Sequence, residues 1–299
     1  DQFAVVEGQH AEALLELGRA AGVAACRDIG EKARRLSALA LAAEELGAAT
    51  ERRKMGRLEI YAFGEGRVVR DGSPLPSAEW QAATAKELFF YILLHGPLER
   101  DVIGAVFWPE QTTKKMTDSF HTTLYRIRRA LGADAVVMEE GRYRLGDIDH
   151  WFDVDEFEGL VERARLLPTY DWQAQELWQR AVALYQGDFL PEVERVWCVP
   201  KRELLREMYL EALVGLGQCH EARREFEQAI DSYRQALAVD ELREDIHRHI
   251  MRAYAALGRR SEALAQYHSC REILSRELDI EPATETTKLF QTIAEKRPD

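Results

Sequence analysis

A chain of 299 residues that is 46% hydrophobic and 31% charged has the composition of a globular protein of two or three domains. No apolar run approaches the ~18 residues of a membrane span, and no signal-peptide pattern is legible. Four scattered cysteines (Cys26, Cys198, Cys219, Cys270) form no C-x-x-C pair, which argues against a disulfide framework or a zinc site and fits a reducing cytoplasm. The formal charge of −12 is unevenly spread, with −1 over 1–56, 0 over 57–146 and −11 over 147–299.

Residues 1–55 are rich in Ala, Leu and Glu and carry helical periodicity in Ala11–Gly18 and again from Ile29 to Leu46, with Gly22 and Gly47 as stops. They are expected to be the end of an upstream helical repeat region. The texture changes at residue 57. Arg57–Phe63 alternates as a strand, with Leu58, Ile60 and Ala62 on one side and Glu59, Tyr61 and Phe63 on the other. Gly64-Glu65-Gly66 turns into a second strand, Arg67–Arg70, and Ser77–Trp80 reads as a short third one. Thr84-x-x-Glu87 has the spacing of a capping box and opens an apolar helix, Ala85–His95, that ends at Gly96-Pro97. A second helix, Arg100–Phe107, stops before Pro109.

The third helix carries the chemistry. In the stretch from Thr112 to Gly132, Phe120, Leu124, Ile127 and Leu131 recur at the spacing of one buried face. Lys115, Asp118, Thr122, Tyr125, Arg126 and Arg129 fall on the opposite side. Five cations (Lys114, Lys115, Arg126, Arg128, Arg129) stand against one acid, Asp118, the mixture a helix needs to lie in a DNA major groove. A hairpin of Val136–Met138 and Arg142–Leu145, tipped by Glu139-Glu140-Gly141, follows directly. Such a helix and hairpin are the reading end of a winged helix-turn-helix. A neutral domain binds DNA when its cations cluster in this way, whereas the acidic C-terminal half repels DNA and leaves its surface for protein partners.

Several of these features occur together in a known family. The leading sheet, Thr84-x-x-Glu87, Trp108 closing the second helix, the run Arg126–Gly132 closing the third and the strand Gly141-x-Tyr143-x-Leu145 resemble the OmpR-type winged helix over residues 57–147.

Beyond residue 150 the chain is helical and repetitive. Leu213-x-x-Leu216-Gly217-x-x-His220, with Ala229, Tyr233 and Ala236, recurs 34 residues later as His247-x-x-Ile250-Met251-x-x-Tyr254, with Ala263, Tyr267 and Cys270. That is the period of a tetratricopeptide repeat, and a weaker copy lies at Ala181-x3-Tyr185. Tyr233, Tyr254 and Tyr267 are expected to pack between repeat helices. His247 and His249 lie on different helix faces and do not make a metal pair.

Phe152–Phe157, Gly187-Asp188-Phe189-Leu190, Trp197, Leu242-Arg243-Glu244, Gly258–Tyr267 and Glu277–Pro282 resemble the bacterial transcriptional activator domain, expected over 150–299. A winged helix followed by that domain resembles the SARP-type regulators of actinomycetes. In those regulators the winged helix usually begins the protein, whereas here 56 residues precede it. The resemblance implies a mainly α protein, a winged helix-turn-helix with small antiparallel sheets flanked by tetratricopeptide-like repeats. It also implies a transcription activator that binds direct promoter repeats of double-stranded DNA, with a side-by-side dimer on DNA as one arrangement, and that recruits RNA polymerase holoenzyme.

The expected DNA-contacting residues divide by role. Ser119, Thr122, Tyr125 and Arg126 are nearest to base edges; Lys114, Lys115, Arg128 and Arg129 contact phosphates; Arg142 reaches from the wing. The rival reading is a repeat scaffold that has lost DNA binding. No phosphate-binding loop, nucleophile elbow, H-E-x-x-H or Cys/His ligand cluster points to an enzyme, a cofactor or a metal.

Overall fold

The computed structural model describes residues 58–295, so the helices expected over 1–55, and Cys26 with them, lie outside the described residues. The described part is mainly helical, with two small sheets in its N-terminal third. Strands β1 (Leu58–Tyr61), β2 (Arg67–Arg70) and β3 (Ser73–Pro74) form an antiparallel meander, with Leu58 opposite Arg70 and Ile60 opposite Val68. Leu58, Ile60 and Ala62 point inward, as the alternation requires. Phe63 departs from it: this ring is buried too, because the chain leaves β1 and packs it on Phe157 and Tyr185.

Two expectations are corrected here. Ser77–Trp80 is not a strand but a single helical turn, α1, opened by Pro76; the third strand is the shorter β3 just before it. The turn points Trp80 onto Phe89, where its ring is covered. Thr84-x-x-Glu87 is not a capping box. Helix α2 (Ala83–His95) starts one residue ahead of Thr84, behind extended Ala82, and no side chain caps it. Glu87 is instead drawn to Arg195, far along the chain. An electrostatic partner outweighs a cap that typically contributes about 1 kcal/mol.

The next elements are β4 (Leu98–Glu99), α3 (Arg100–Phe107), α4 (Thr113–Leu131), β5 (Val136–Glu139) and β6 (Arg142–Leu145). Glu140 and Gly141 both take positive φ, 51° and 80°, which is the two-residue turn that matches strand twist in a hairpin. β4 adds to β6, so the wing is a three-stranded sheet in the order β4-β6-β5.

A further strand, β7 (His150–Phe152), pairs parallel with β1, Leu58 opposite His150, and makes the first sheet four-stranded. The chain then enters antiparallel helix pairs: α5 (Asp153–Arg165) with α6 (Trp172–Leu184), α7 (Cys198–Ala222) with α8 (Phe226–Val239), and α9 (Glu244–Ala256) with α10 (Arg260–Leu278). Helix α11 (Thr284–Glu295) closes the stack. Tyr233, Tyr254 and Tyr267 are buried in it, as repeat packing requires. Cys198, Cys219 and Cys270 are buried, unpaired thiols.

The apolar core does not divide where the sequence texture changes. One cluster runs from Leu58 through the winged helix into α5, α6 and α7 as far as Cys219, while a second holds the later repeats from Leu210 to Ile293. The Asp153 carboxylate, 2% exposed, accepts from the Ala62 and Phe63 amides at 2.9–3.0 Å and ties the start of α5 to β1. Across the same junction the Leu190 amide donates to Ala62 O at 2.9 Å and the Gly64 amide to Asp188 O at 3.0 Å. Trp197 lies edge-on to Tyr91 at 5.3 Å. The winged helix is therefore seated on the repeats by buried bonds as well as by apolar area.

Candidate nucleic-acid interface

Helix α4 is held from three sides. Its inner face buries Met116, Phe120, Thr123, Leu124, Ile127, Ala130 and Leu131. Gly104 of α3 lets that helix approach closely; a Cβ there would come within 2.8 Å of Met116 Cγ. Phe120 meets Tyr143 of the wing edge-on at 4.7 Å. At the C-terminal end, Arg70 Nη1 donates to Ala130 O at 2.8 Å. Two strands and one helix thus fix the direction in which the outer face points.

That outer face carries Lys114, Lys115, Asp118, His121, Thr122, Tyr125 and Arg129, all exposed, with Arg126 and Ser119 half-buried along one flank. Tyr125 is 62% exposed, an aromatic ring with no packing reason to be there. Among the described residues, Lys114, Lys115, Arg126 and Arg129 make no ion pair and no side-chain hydrogen bond. Four unneutralised cations on one side of one helix produce a local positive field despite the acidic whole.

The remaining expected contacts are placed differently. Arg128 donates from Nε and Nη2 to Val136 O at 3.0 and 2.8 Å, so it clamps the first wing strand to α4 and does not stand free toward solvent. Ser119 Oγ donates to Gln111 Oε1 at 2.9 Å, and Thr122 Oγ1 to Asp118 O at 2.8 Å. Arg142 sits on the exposed wing between Glu99 and Glu139, with Glu99 Oε1 3.7 Å away. Its neighbour Arg144 is bound to Glu139 and Asp147, which hold its guanidinium above the ordinary range. Sequence periodicity found the face, but it did not show which cations were already engaged.

Met138 was not singled out from sequence, yet it stands 61% exposed on the wing. Strand alternation gave no signal for it: Met138 shares its face with Val136 and with its cross-strand partner Tyr143, both buried, and is exposed only because that face runs out toward the wing tip. Elsewhere, no group of three or more His, Cys, Asp or Glu side chains could hold a metal ion among the described residues. No helix among them is long and apolar enough to cross a membrane. His247 is buried, bonded to Glu241 O and Gln266, and burial lowers its pKa; His249 joins Tyr233 and Glu221.

Comparison with known proteins fits this layout. Residues 152–294 match the bacterial transcriptional activator domain. The chain is 28% identical over 197 residues to the regulatory protein AfsR of Streptomyces griseus, across 62% of this chain and 19% of that protein. It is 27% identical over 264 residues to AfsR of Streptomyces coelicolor, across 84% of this chain and 26% of that one. It therefore spans only a minor part of the length of either relative. Among solved structures, Mycobacterium tuberculosis EmbR, determined in complex with a low-affinity phosphopeptide, superposes with a TM-score of 0.66 at 21% identity. The match covers 81% of this chain and 66% of EmbR, and at that identity it is a likeness of fold.

Proposed function

We propose that this chain, a SARP-type transcriptional regulator with a bacterial transcriptional activator domain, binds duplex DNA sequence-specifically through α4 and its wing and activates transcription by contacting RNA polymerase. The observation that carries the reading is the outer face of α4: four free cations and a free aromatic ring, directed outward by a helix whose other side is fully buried. A helix so mounted fits the major groove, about 12 Å wide. In this reading two expected roles are exchanged. Half-buried Arg126, on the flank, joins Lys114 and Lys115 at phosphates, which position the domain, while exposed Arg129 joins Tyr125 and Thr122 on the outer ridge toward base edges. Ser119, half-buried and bonded to Gln111, is left out of the base-contact set. Arg142 carries the wing toward the neighbouring backbone. Two copies side by side on direct repeats need no shared seam, since each brings its own α4.

The acidic repeats supply the second function in this reading. Their surface repels DNA and is left to a protein partner, RNA polymerase in the activator case. The test is a salt titration of binding to pooled random duplex DNA by the wild type and by the Lys114/Lys115/Arg126→Ala variant, with Arg128 left intact because it holds the wing. Binding that falls steeply with salt and weakens in the variant supports the proposal. Absent binding, or binding indifferent to the variant, turns the reading to a protein scaffold built on the acidic repeats.

A further inference from the structure

We infer that Asp118 is a specificity residue that demands a cytosine amino group in the bound DNA; the inference rests on the proposal that α4 enters the major groove. Asp118, Thr122, Tyr125 and Arg129 follow the i, i+4, i+7, i+11 spacing and form the ridge farthest from the buried residues Met116, Phe120 and Ile127. All four are exposed. The ridge that faces directly away from the core goes deepest into a groove, and the flanks meet its walls. Asp118 is therefore at the floor, while Lys115 and Arg126 are beside it.

The carboxylate of Asp118 has no ion pair and no side-chain hydrogen bond among the described residues. On the wing, by contrast, Glu139 is bound to Arg144 and Glu99 approaches Arg142, and only the tip residue Glu140 is as free as Asp118. Lys114 and Lys115 are close in sequence, yet neither pairs with it. An ionised carboxylate accepts hydrogen bonds and donates none. Brought between two rows of phosphates, it is repelled unless a donor meets it. The major-groove edges offer only two donors, the N4 amino group of cytosine and the N6 amino group of adenine. Adenine places the N7 acceptor beside its amino group, within reach of a second carboxylate oxygen, where two acceptors repel. Cytosine does not. Guanine and thymine show acceptors alone at the positions Asp118 reaches.

A single acid on a basic recognition helix thus works by exclusion: it lowers affinity for every sequence except those carrying cytosine at one step. The Thr122 hydroxyl donates to Asp118 O, so its proton is already committed and it offers the Asp118 carboxylate no competing donor.

The experiment is selection of binding sites from a randomised duplex pool by the 299-residue chain, its Asp118→Ala variant and its Asp118→Asn variant. The wild type is expected to select a site with one position strongly cytosine. Asp118→Ala should lose about tenfold discrimination at that position alone and bind random duplex more tightly, with the slope against salt unchanged. Asp118→Asn, which pairs bidentately with adenine N6 and N7, should move the same position from cytosine to adenine. A selected site whose preferences are identical in wild type and Asp118→Ala overturns the inference while leaving DNA binding intact. So does an Asp118→Asn variant that still selects cytosine. A wild type that binds no duplex at all removes the underlying reading and the inference together, and is told apart by the random-duplex titration.

Discussion

Helix α4 and the repeat stack handle charge in opposite ways. Many arginines of the repeats are paired with an acid: Arg165 with Glu211, Arg206 with Asp188, Arg243 with Asp245, Arg271 with Glu281, Arg276 with Glu241 and Glu277. Arg259 bridges two, Glu227 and Glu262. On α4 the cations have none. Internal pairing neutralises a surface and leaves its net charge to the surplus acids, whereas unpaired cations reserve their charge for something outside the molecule. The two halves share one core at their junction, so the difference belongs to the surfaces and not to separate foldings.

The largest effect that would break this comparison concerns α4 itself. Changing Lys114, Lys115 and Arg126 together to Ala removes three free cations while the buried face stays intact. Each lost phosphate contact lowers the slope of log K against log salt by about 0.9, so the slope should fall by about 2.7. Thermal unfolding should be nearly unchanged. Arg128→Ala is the contrast, since it releases Val136 O from two donors and should lower the unfolding midpoint more than any of the three. If Arg128→Ala left stability untouched and mirrored the loss of the others in DNA binding, the division between clamping and free cations would be wrong.

The next effect lies at the junction and is set by pH. Burial pushes the Asp153 carboxyl up to about 6 from 3.8, against the pull of the Ala62, Phe63 and Val154 amides and of Arg67. The folded-state value is raised, so the protein is favoured with Asp153 protonated. That contribution is complete below pH 3.8 and is lost as pH rises through about 6. The shift corresponds to about 3 kcal/mol over that window. Asp153→Asn cannot ionise and keeps an acceptor for the amides, so its stability relative to wild type should improve as pH rises from 5 to 7. Denaturant titrations at both values measure it; a difference that does not change with pH would mean the carboxylate is ionised throughout.

What the sequence made legible follows from the range of each interaction. Periodicity is local, so the inner face of α4, the Glu140-Gly141 turn and the repeat period were all readable from neighbours along the chain. The misreadings concern partners far away. Glu87 has the spacing of a capping residue, yet its partner is Arg195; the three-residue strand β7, which has no counterpart in the sequence reading, exists through its pairing with β1. Arg128 falls off the outer face that holds Arg126 and Arg129, but periodicity does not name the group that engages it, the carbonyl of Val136 beyond the end of the helix. Ser77–Trp80 is short enough that neither period decides, and the burial of Trp80 selects the helical turn. The free state of Asp118 belongs to the same class: it is a statement about what is not beside it, which spacing alone does not give.

A smaller effect tests the packing that the repeat motif encodes. Gly217 belongs to that motif, and its reason is contact: a Cβ there would stand 2.7 Å from Tyr233 Cζ. The ring cannot give way easily, since its hydroxyl donates to Glu221 and its face stacks on His249 at 4.9 Å. Overpacking costs about 1–3 kcal/mol, whereas replacing a helical glycine by alanine gains up to about 1 kcal/mol. Gly217→Ala should therefore be destabilised by roughly 1–2 kcal/mol net of these terms, with DNA affinity per folded molecule unchanged. A stabilised variant would show that Tyr233 repacks.

The smallest expected effect is the most discriminating about charge. Arg271 and Arg276 are exposed and paired with acids of their own surface. Exposed pairs of this kind contribute little to stability, so the Arg271/Arg276→Ala variant should unfold at the wild-type midpoint. It also makes the protein more acidic by two charges, just as two substitutions on α4 would. If DNA binding answered to net charge, the two changes would weaken it alike. At physiological ionic strength, however, a charge acts over about 8 Å, and Arg271 and Arg276 stand on α10, which packs in the second apolar cluster with the later repeats and not in the one that holds α4. The variant should bind with wild-type affinity and wild-type salt slope, measured by the same titration that separates the α4 variant. A matching loss would mean that attraction is a property of the whole molecule, and that the free cations of α4 do not mark where the DNA lies.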